Sequence, residues 1–324
     1  MHSTVEGAAM LGKTAAGLFW AFRYLERSDN IARLIDAGVN IAAGTTSDPA
    51  SVWQSVMASA GLADPDRQQL ASQPAGVDKI INHLLRDSDN ESSVRSMLGR
   101  ARNNGRMVRT ALSRDTWEAL NRCWLTVDEL LTRPLTERDI QDVLAEIRRQ
   151  SALVHGSLHG TMLRDDNFSF CRLGSLVERA DYTARILDVK YYVLLPTAFH
   201  VGSPLDNVQW ETILRSVSAH RSYLWLHQGS VTASGIAEYL ILDDRMPRSI
   251  AFSVKKMASN LHYLGRLYDQ QLPSHDLIDS IGNELAGTDI DTIINNGLHE
   301  FITALRGRNA ELASQIEVDY RFYQ

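Results

Sequence analysis

Apolar residues recur at intervals of three and four along almost the whole chain, and short alternating runs bounded by turn residues are scarce. That pattern predicts a nearly all-α protein. Breakers divide it at GTTSDPAS (44–51), LADPD (62–66), SQPAG (72–76), TRPLTE (132–137), LPTAFHVGSPLDN (195–207), DDRMPRS (243–249) and QLPSHD (271–276). Ser51, Thr136 and Ser249 stand where a helix start needs a side-chain oxygen for an orphan N–H. Residues 137–160 read as one helix. The longest breaker, 195–207, reads as a loop and a candidate part of a site.

The same helical pattern occurs twice. Placing Met10-Leu11 on Met162-Leu163 sets an offset of 162 − 10 = 152, and this offset carries Glu26, Arg27, Asp29, Ala32, Arg33 and Asp36 onto Glu178, Arg179, Asp181, Ala184, Arg185 and Asp188. Further on, an offset of 240 − 84 = 156 carries Leu84, Asp87, Ser93 and Val94 onto Leu240, Asp243, Ser249 and Ile250. Trp53 and Trp210 open comparable helices between these two segments, at an offset of 157. The expectation is an internally duplicated helical bundle with pseudo-two-fold symmetry. Residues 10–160 form its first repeat, residues 161–324 its second, and both share one core.

On a helical wheel Glu26, Asp29, Arg33 and Asp36 fall within about 80° of one another, opposite the apolar face. Exposed i, i+3 and i, i+4 ion pairs would account for such a stripe at a few tenths of a kcal/mol each. Between the two copies, however, neutral positions differ (Asn30 against Tyr182, Ile31 against Thr183, Leu34 against Ile186), whereas all five charged positions keep both sign and residue type. Identity of that kind points to bidentate guanidinium–carboxylate geometry, which Lys does not reproduce. If the motif helices meet at the pseudo-axis, Glu26, Arg33, Glu178 and Arg185 form one buried cluster. It is then either a structural network or a site, since net stabilisation from buried charge is small.

Composition changes the picture mainly by exclusion. The 33 basic residues are outnumbered by 39 acidic ones with no Lys/Arg-rich run, so nucleic acid is not the expected partner. Two cysteines, Cys123 and Cys171, form no CxxC pair, which suits a reducing compartment. The N-terminus lacks the layout of a signal peptide and no apolar run reaches membrane-spanning length, so the expected location is the cytoplasm, without membrane association.

Other constellations are weaker. His155 and His159 have metal-ligand spacing but no HExxH, and Gly156 and Gly160 suggest close helix packing instead; no metal site is expected. No glutamate has His at its +3 position, which disfavours di-iron bundle chemistry. The Glu26-x-x-Asp29 and Glu178-x-x-Asp181 pairs suit Mg²⁺, but the neighbouring arginines would neutralise them. There is no Walker A loop, GxGxxG turn or GxSxG elbow. Cys171, replaced by Phe19 in the first copy, reads as a core thiol. Arg245, Arg248 and Ser249 at a helix start form a candidate anion site, or else a capped helix with two exposed arginines. The first copy has Asn90, Glu91 and Ser93 in this region.

The segments MLGKTAAGLFWAFRYLERSDNIARLID, TMLRDDNFSFCRLGSLVERADYTARILD and IAEYLILDDRMPRSIAFSV resemble the bacterial alpha-E family from Met10 nearly to the C-terminus, through its LERxxxxAR and LLxDxxxPRS signatures. Members of that family usually begin near the residue matching Met10, which implies that residues 1–9 are an N-terminal extension or the product of an alternative start. The resemblance implies an association with circularly permuted ATP-grasp proteins, which form amide bonds through acyl phosphates, and with transglutaminase-like proteins. On that basis the chain is expected to be a helical partner or co-catalytic subunit of an ATP-grasp amide or peptide ligase. ATP and Mg²⁺ would then sit on the ligase, no cofactor on this chain, and the substrate would be a peptide or amino acid. Glu26 and Glu178 are the candidate catalytic residues. Arg27, Asp29, Arg33, Asp36, Arg179, Asp181, Arg185, Asp188, Arg245 and Arg248 are the candidate substrate-binding ones. Two alternatives stand beside this: an independent enzyme using the two glutamates for acid–base chemistry in a polar cavity, and a purely structural assembly module.

Overall fold

The three- and four-residue apolar spacing folds as helix after helix. A computed structural model describes residues 10–44, 49–62, 76–193, 204–229 and 231–323, with positions 67 and 70 between them. Among the described residues the regular elements are all helical, as the sequence pattern predicts. They are α1 (Gly12–Gly44), α2 (Pro49–Ala60), α3 (Gly76–Leu85), α4 (Val94–Met107), α5 (Arg114–Leu130), α6 (Glu137–Thr161), α7 (Asp166–Val193), α8 (Pro204–Ser216), α9 (His220–Leu226), α10 (Ala233–Ile241), α11 (Ile250–Tyr268), α12 (Pro273–Ala286), α13 (Ile290–Asn296) and α14 (Leu298–Asp319), with one 3₁₀ turn at Arg109–Ala111. The extension 1–9 and most of the 195–207 loop lie outside the described residues.

The motif helices α1 and α7 are the two long central elements. Each buries apolar residues on nearly every side: Leu18, Phe19, Phe22, Leu25 and Ile35 on α1, and Phe170, Leu173, Leu176 and Leu187 on α7. A helix apolar all round belongs in the interior, and each such side chain contributes about 1.5–3 kcal/mol by leaving water. α1 packs against α2, α4, α6, α7 and α8; α7 packs against α1, α2, α8, α11 and α14. Contacts between the central pair advance in the same sense along both, from Phe19 beside Gly174 to Glu26 beside Arg179, so the two helices run in the same direction.

Local chemistry sets the helix ends that surround this pair. Ser93 Oγ accepts the Ser96 amide (3.2 Å) and donates to the Asp87 carbonyl (2.7 Å), while Ser249 Oγ accepts the Phe252 amide (3.0 Å) and donates to the Asp243 carbonyl (2.5 Å). In both turns the aspartate folds back on a backbone amide two residues on, Asp87 on Asp89 and Asp243 on Arg245. The C-termini of α2 and α8 also share a form. Leu62 N donates to Met57 O (3.0 Å) and Ala219 N to Leu214 O (2.7 Å), with Gly61 and Ser218 at positive φ of 91° and 57°. These are Schellman-type endings.

Thr136 caps α6, its backbone N–H and hydroxyl both donating to Asp139. α2 starts at Pro49, a residue pre-set for a first turn, which puts Ser51 inside the helix and not at the position before it. The expected helix packing at Gly156 and Gly160 is also overturned. Both glycines face open space on the outer side of α6.

Gly174 is where the core demands glycine. A Cβ there would lie 2.1 Å from the Phe19 carbonyl oxygen, so the α1 and α7 backbones touch at this point. Gly174→Ala is expected to push the helices apart and cost about 1–3 kcal/mol, read as a lower urea midpoint. An unchanged midpoint would contradict the close approach.

Candidate functional site

One turn beyond the Gly174 contact, the Glu-Arg dipeptides of the two central helices face each other. Arg27 on α1 grips Glu178 on α7 with both prongs of its guanidinium, Nε to Oε1 at 2.6 Å and Nη2 to Oε2 at 2.7 Å. Arg179 on α7 grips Glu26 on α1 in the same way, at 2.8 Å for both bonds. Each dipeptide thus gives an acceptor to and takes a donor from the other helix, a crossed pair of fork-to-fork ion bonds.

The expected cluster of Glu26, Arg33, Glu178 and Arg185 is therefore corrected in its arginines. Arg27 and Arg179 cross the interface, because the side-by-side helices place the residue next to each glutamate against the opposing one. Arg33 and Arg185, farther along, turn back to their own helices: Arg33 Nε to Asp29 at 2.8 Å, Arg185 Nε to Asp181 at 2.5 Å. Each then reaches a helix C-terminus. Arg33 Nη1 donates to the Ser216 carbonyl at the end of α8 (3.2 Å) and to Ser218 Oγ (2.7 Å), and Arg185 Nη1 donates to the Ser59 carbonyl near the end of α2 (3.4 Å). A cation suits the negative end of a helix dipole. The bond to Arg33 also gives Ser218 a reason to occupy a φ that costs an ordinary residue about 1–2 kcal/mol.

Arg248 completes the Glu26 side. From the turn before α11 its Nη1 donates to Glu26 Oε1 (3.2 Å) and Asn30 Oδ1 (3.1 Å), and its Nη2 to Asp29 Oδ2 (2.6 Å). Arg248 is buried in the cluster, not exposed, whereas Arg245, three residues earlier, stays at the surface on Asp243. Arg245 and Arg248 do not share a site. Asp36 and Asp188 lie at the far ends of their stripes, held from outside by Arg148 on α6 (2.8 Å) and by His299 on α14 (2.6 Å).

Two further participants stand outside the repeated motif. Arg23 approaches Glu178 at 3.4 Å while stacked over Trp20, and His155 Nε2 lies 3.1 Å from Glu26 Oε2. His159 instead packs against the Phe168 ring, so the two histidines do not converge. Among the described residues no group of three His, Cys, Asp or Glu side chains is placed to hold a metal ion. Cys171 is a buried free thiol whose surroundings push its pKa up, as expected of a core thiol.

Electrostatics fix the state of Glu26. Burial alone would raise its pKa; Arg179 and Arg248 outweigh that and hold the carboxyl well below the usual carboxylate range. Burial likewise opposes the charge of Arg248, and Glu26 and Asp29 restore it. A side chain with 0% exposure that stays ionised and multiply hydrogen-bonded is suited to holding helices in register and poorly suited to proton transfer.

Residues 10–320 match the Alpha-E family model, described as "a predicted alpha-helical domain with a conserved ER motif". The Glu26-Arg27 and Glu178-Arg179 dipeptides that make the crossed pairs lie within that span. No curated protein and no solved structure matches the chain.

Removing one partner strands the others. Glu26→Gln leaves Arg179 without its carboxylate and Arg248 with Asp29 alone and is expected to cost about 3–5 kcal/mol at neutral pH, with Glu178→Gln costing less because Glu178 is better solvated. The folded pKa of Glu26 lies below its ordinary 4.5, so its stabilisation is complete above that value and drains away as pH falls below it. The stability gap between wild type and Glu26→Gln should therefore narrow in acid. Denaturant titrations at neutral and acid pH measure this, and a gap that is absent at pH 7 or widens in acid contradicts it.

Proposed function

This chain belongs to the Alpha-E family, and from that membership together with the buried clasp we propose that it is a non-catalytic helical partner of an ATP-grasp amide or peptide ligase. It acts in the cytoplasm, presents a peptide or amino-acid substrate, and leaves ATP, Mg²⁺ and acyl-phosphate chemistry to the ligase, with a transglutaminase-like protein as a further associate. The ligase association rests on the family resemblance. The absence of chemistry on this chain rests on one observation: each candidate catalytic glutamate is held by both prongs of an arginine from the other central helix. The independent-enzyme reading needs at least one of these carboxylates to release its arginine and trade a proton, and the network around Glu26 opposes that.

We also infer that the chain is an internally duplicated bundle, with the clasp on its pseudo-axis. The crossed Glu–Arg pairs, the paired serine caps and the paired Schellman endings all fall at the offsets read from the sequence, which supports this reading.

Co-expression with a circularly permuted ATP-grasp protein from the same genome, followed by affinity capture of either chain, tests the partnership. The expected result is a stable complex in which ATP-dependent amide formation by the ligase depends on this chain. Glu178→Gln, if folded by circular dichroism, should retain activity, as a positional role implies. Separate elution of the two proteins, with ligase turnover indifferent to this chain, would sink the reading. Loss of activity in a folded, complex-forming Glu178→Gln would favour direct chemistry by that carboxylate.

A further inference from the structure

The two sides of the clasp are not filled alike. At the offset of 156 that relates the serine caps, Arg248 corresponds to Ser92 (248 − 156 = 92). On the Glu26 side, Arg248 supplies a second donor to two carboxylate oxygens, Glu26 Oε1 and Asp29 Oδ2, which already hold Arg179 and Arg33. The matching oxygens on the other side, Glu178 Oε1 and Asp181 Oδ2, hold Arg27 at 2.6 Å and Arg185 at 2.5 Å and, among the described residues, receive no counterpart of Arg248. Beside these carboxylates there is a cavity of about 170 Å³, lined among others by Ser92, Glu178, Asp181, Arg27, Arg185 and Ile31.

Side-chain exposure records the difference position by position. It rises from 0% at Glu26 to 7% at Glu178, from 3% at Asp29 to 19% at Asp181, from 12% at Arg33 to 29% at Arg185, and from 12% at Arg179 to 30% at Arg27. Every member of the Glu178 side is more open than its counterpart because a serine stands where an arginine closes the other side.

We propose that this cavity is a binding site for a guanidinium group, that of an arginine side chain or an arginine-derived small molecule, which takes the place that Arg248 occupies on the Glu26 side. Size and charge both fit. The volume is below the roughly 300 Å³ at which ordinary small-molecule pockets begin, so it admits one head group and not a whole substrate. Glu178 and Asp181 stand at the same i, i+3 separation as Glu26 and Asp29, the pair that Arg248 bridges, and two carboxylates so placed suit a planar guanidinium better than a compact ammonium.

Two further arginines touch this side, Arg23 on Glu178 Oε2 at 3.4 Å and Arg306 on Asp181 Oδ1 at 3.5 Å. Both contacts are long, both use the other oxygen of each carboxylate, and each arginine also faces an acid of its own, Glu317 and Asp188. Glu178 and Asp181 thus face four guanidiniums, those of Arg23, Arg27, Arg185 and Arg306, which balance once Glu317 and Asp188 are counted with them, whereas on the Glu26 side Glu26 and Asp29 face three, those of Arg33, Arg179 and Arg248, with no further acid in contact among the described residues. This inference does not depend on the ligase partnership.

Isothermal titration of the full chain tests it with N-acetyl-L-arginine amide, agmatine and free L-arginine, against the citrulline counterpart as a neutral isostere. Saturable binding of an arginine-type ligand, about tenfold or more tighter than that of the citrulline analogue, is expected. Preference for the blocked amide identifies a peptide-borne arginine, and preference for agmatine or free arginine a small molecule. Ser92→Arg should fill the cavity from within, abolish binding and raise the melting temperature; Asp181→Asn, checked for helicity, should weaken binding about tenfold. Absence of arginine binding in the millimolar range, equal binding of the citrulline analogue, or undiminished binding to folded Ser92→Arg or Asp181→Asn would each overturn the proposal.

Discussion

Two arginines exchanged across one helix interface hold this molecule in its arrangement. A fork-to-fork ion bond fixes distance and orientation together, and the crossed pair Arg27–Glu178 and Arg179–Glu26 fixes both at two adjacent levels of α1 and α7. Dehydrating four charges is expensive, and the attraction between them largely offsets that cost without a large surplus. The binding energy of the fold comes from the apolar flanks of the same two helices. What the clasp adds is register: a slide of one residue along either helix would leave ions facing hydrocarbon.

The surrounding elements serve that pair. The bare backbone of Gly174 allows the helices to come close enough for short guanidinium bonds. The ends of α2 and α8 turn their final carbonyls toward Arg185 and Arg33, so a helix dipole backs each stripe. The turn before α11 carries Arg248 inward because Ser249 caps the helix and Asp243 shapes the loop ahead of it. A turn stabilised by its own hydrogen bonds thus aims one side chain at a buried carboxylate.

Much of this was legible in the residues alone. Three- and four-residue periodicity gave the helices, and the fixed identity of five charged positions marked α1 and α7 as more than solvated surfaces. The choice of crossing arginine was not legible, because a helical wheel describes one helix, and whether Arg27 or Arg33 meets Glu178 depends on where the neighbour lies. Arg245 and Arg248 looked equivalent for the same reason: three residues of turn send one to water and the other inside. Gly156 and Gly160 carried a packing meaning by habit of composition, yet they lie on an outer face where nothing approaches. Arg23 joins the cluster from a position with no repeat signal, and the spacing of His155 from His159 spoke of metal rather than of Glu26; only the packing of α6 and of Trp20 brings the two residues there.

The crossed bonds also join distant parts of the chain, with 153 residues separating Arg179 from Glu26. During synthesis at about 5–20 residues per second, Glu26 emerges from the ribosome many seconds before its partner has been translated. Throughout that interval Glu26 lacks the arginine that neutralises it, although α2, α4 and α6 are already available to the other flanks of α1. The interior is completed only once α7 and, after it, the turn that carries Arg248 have been made.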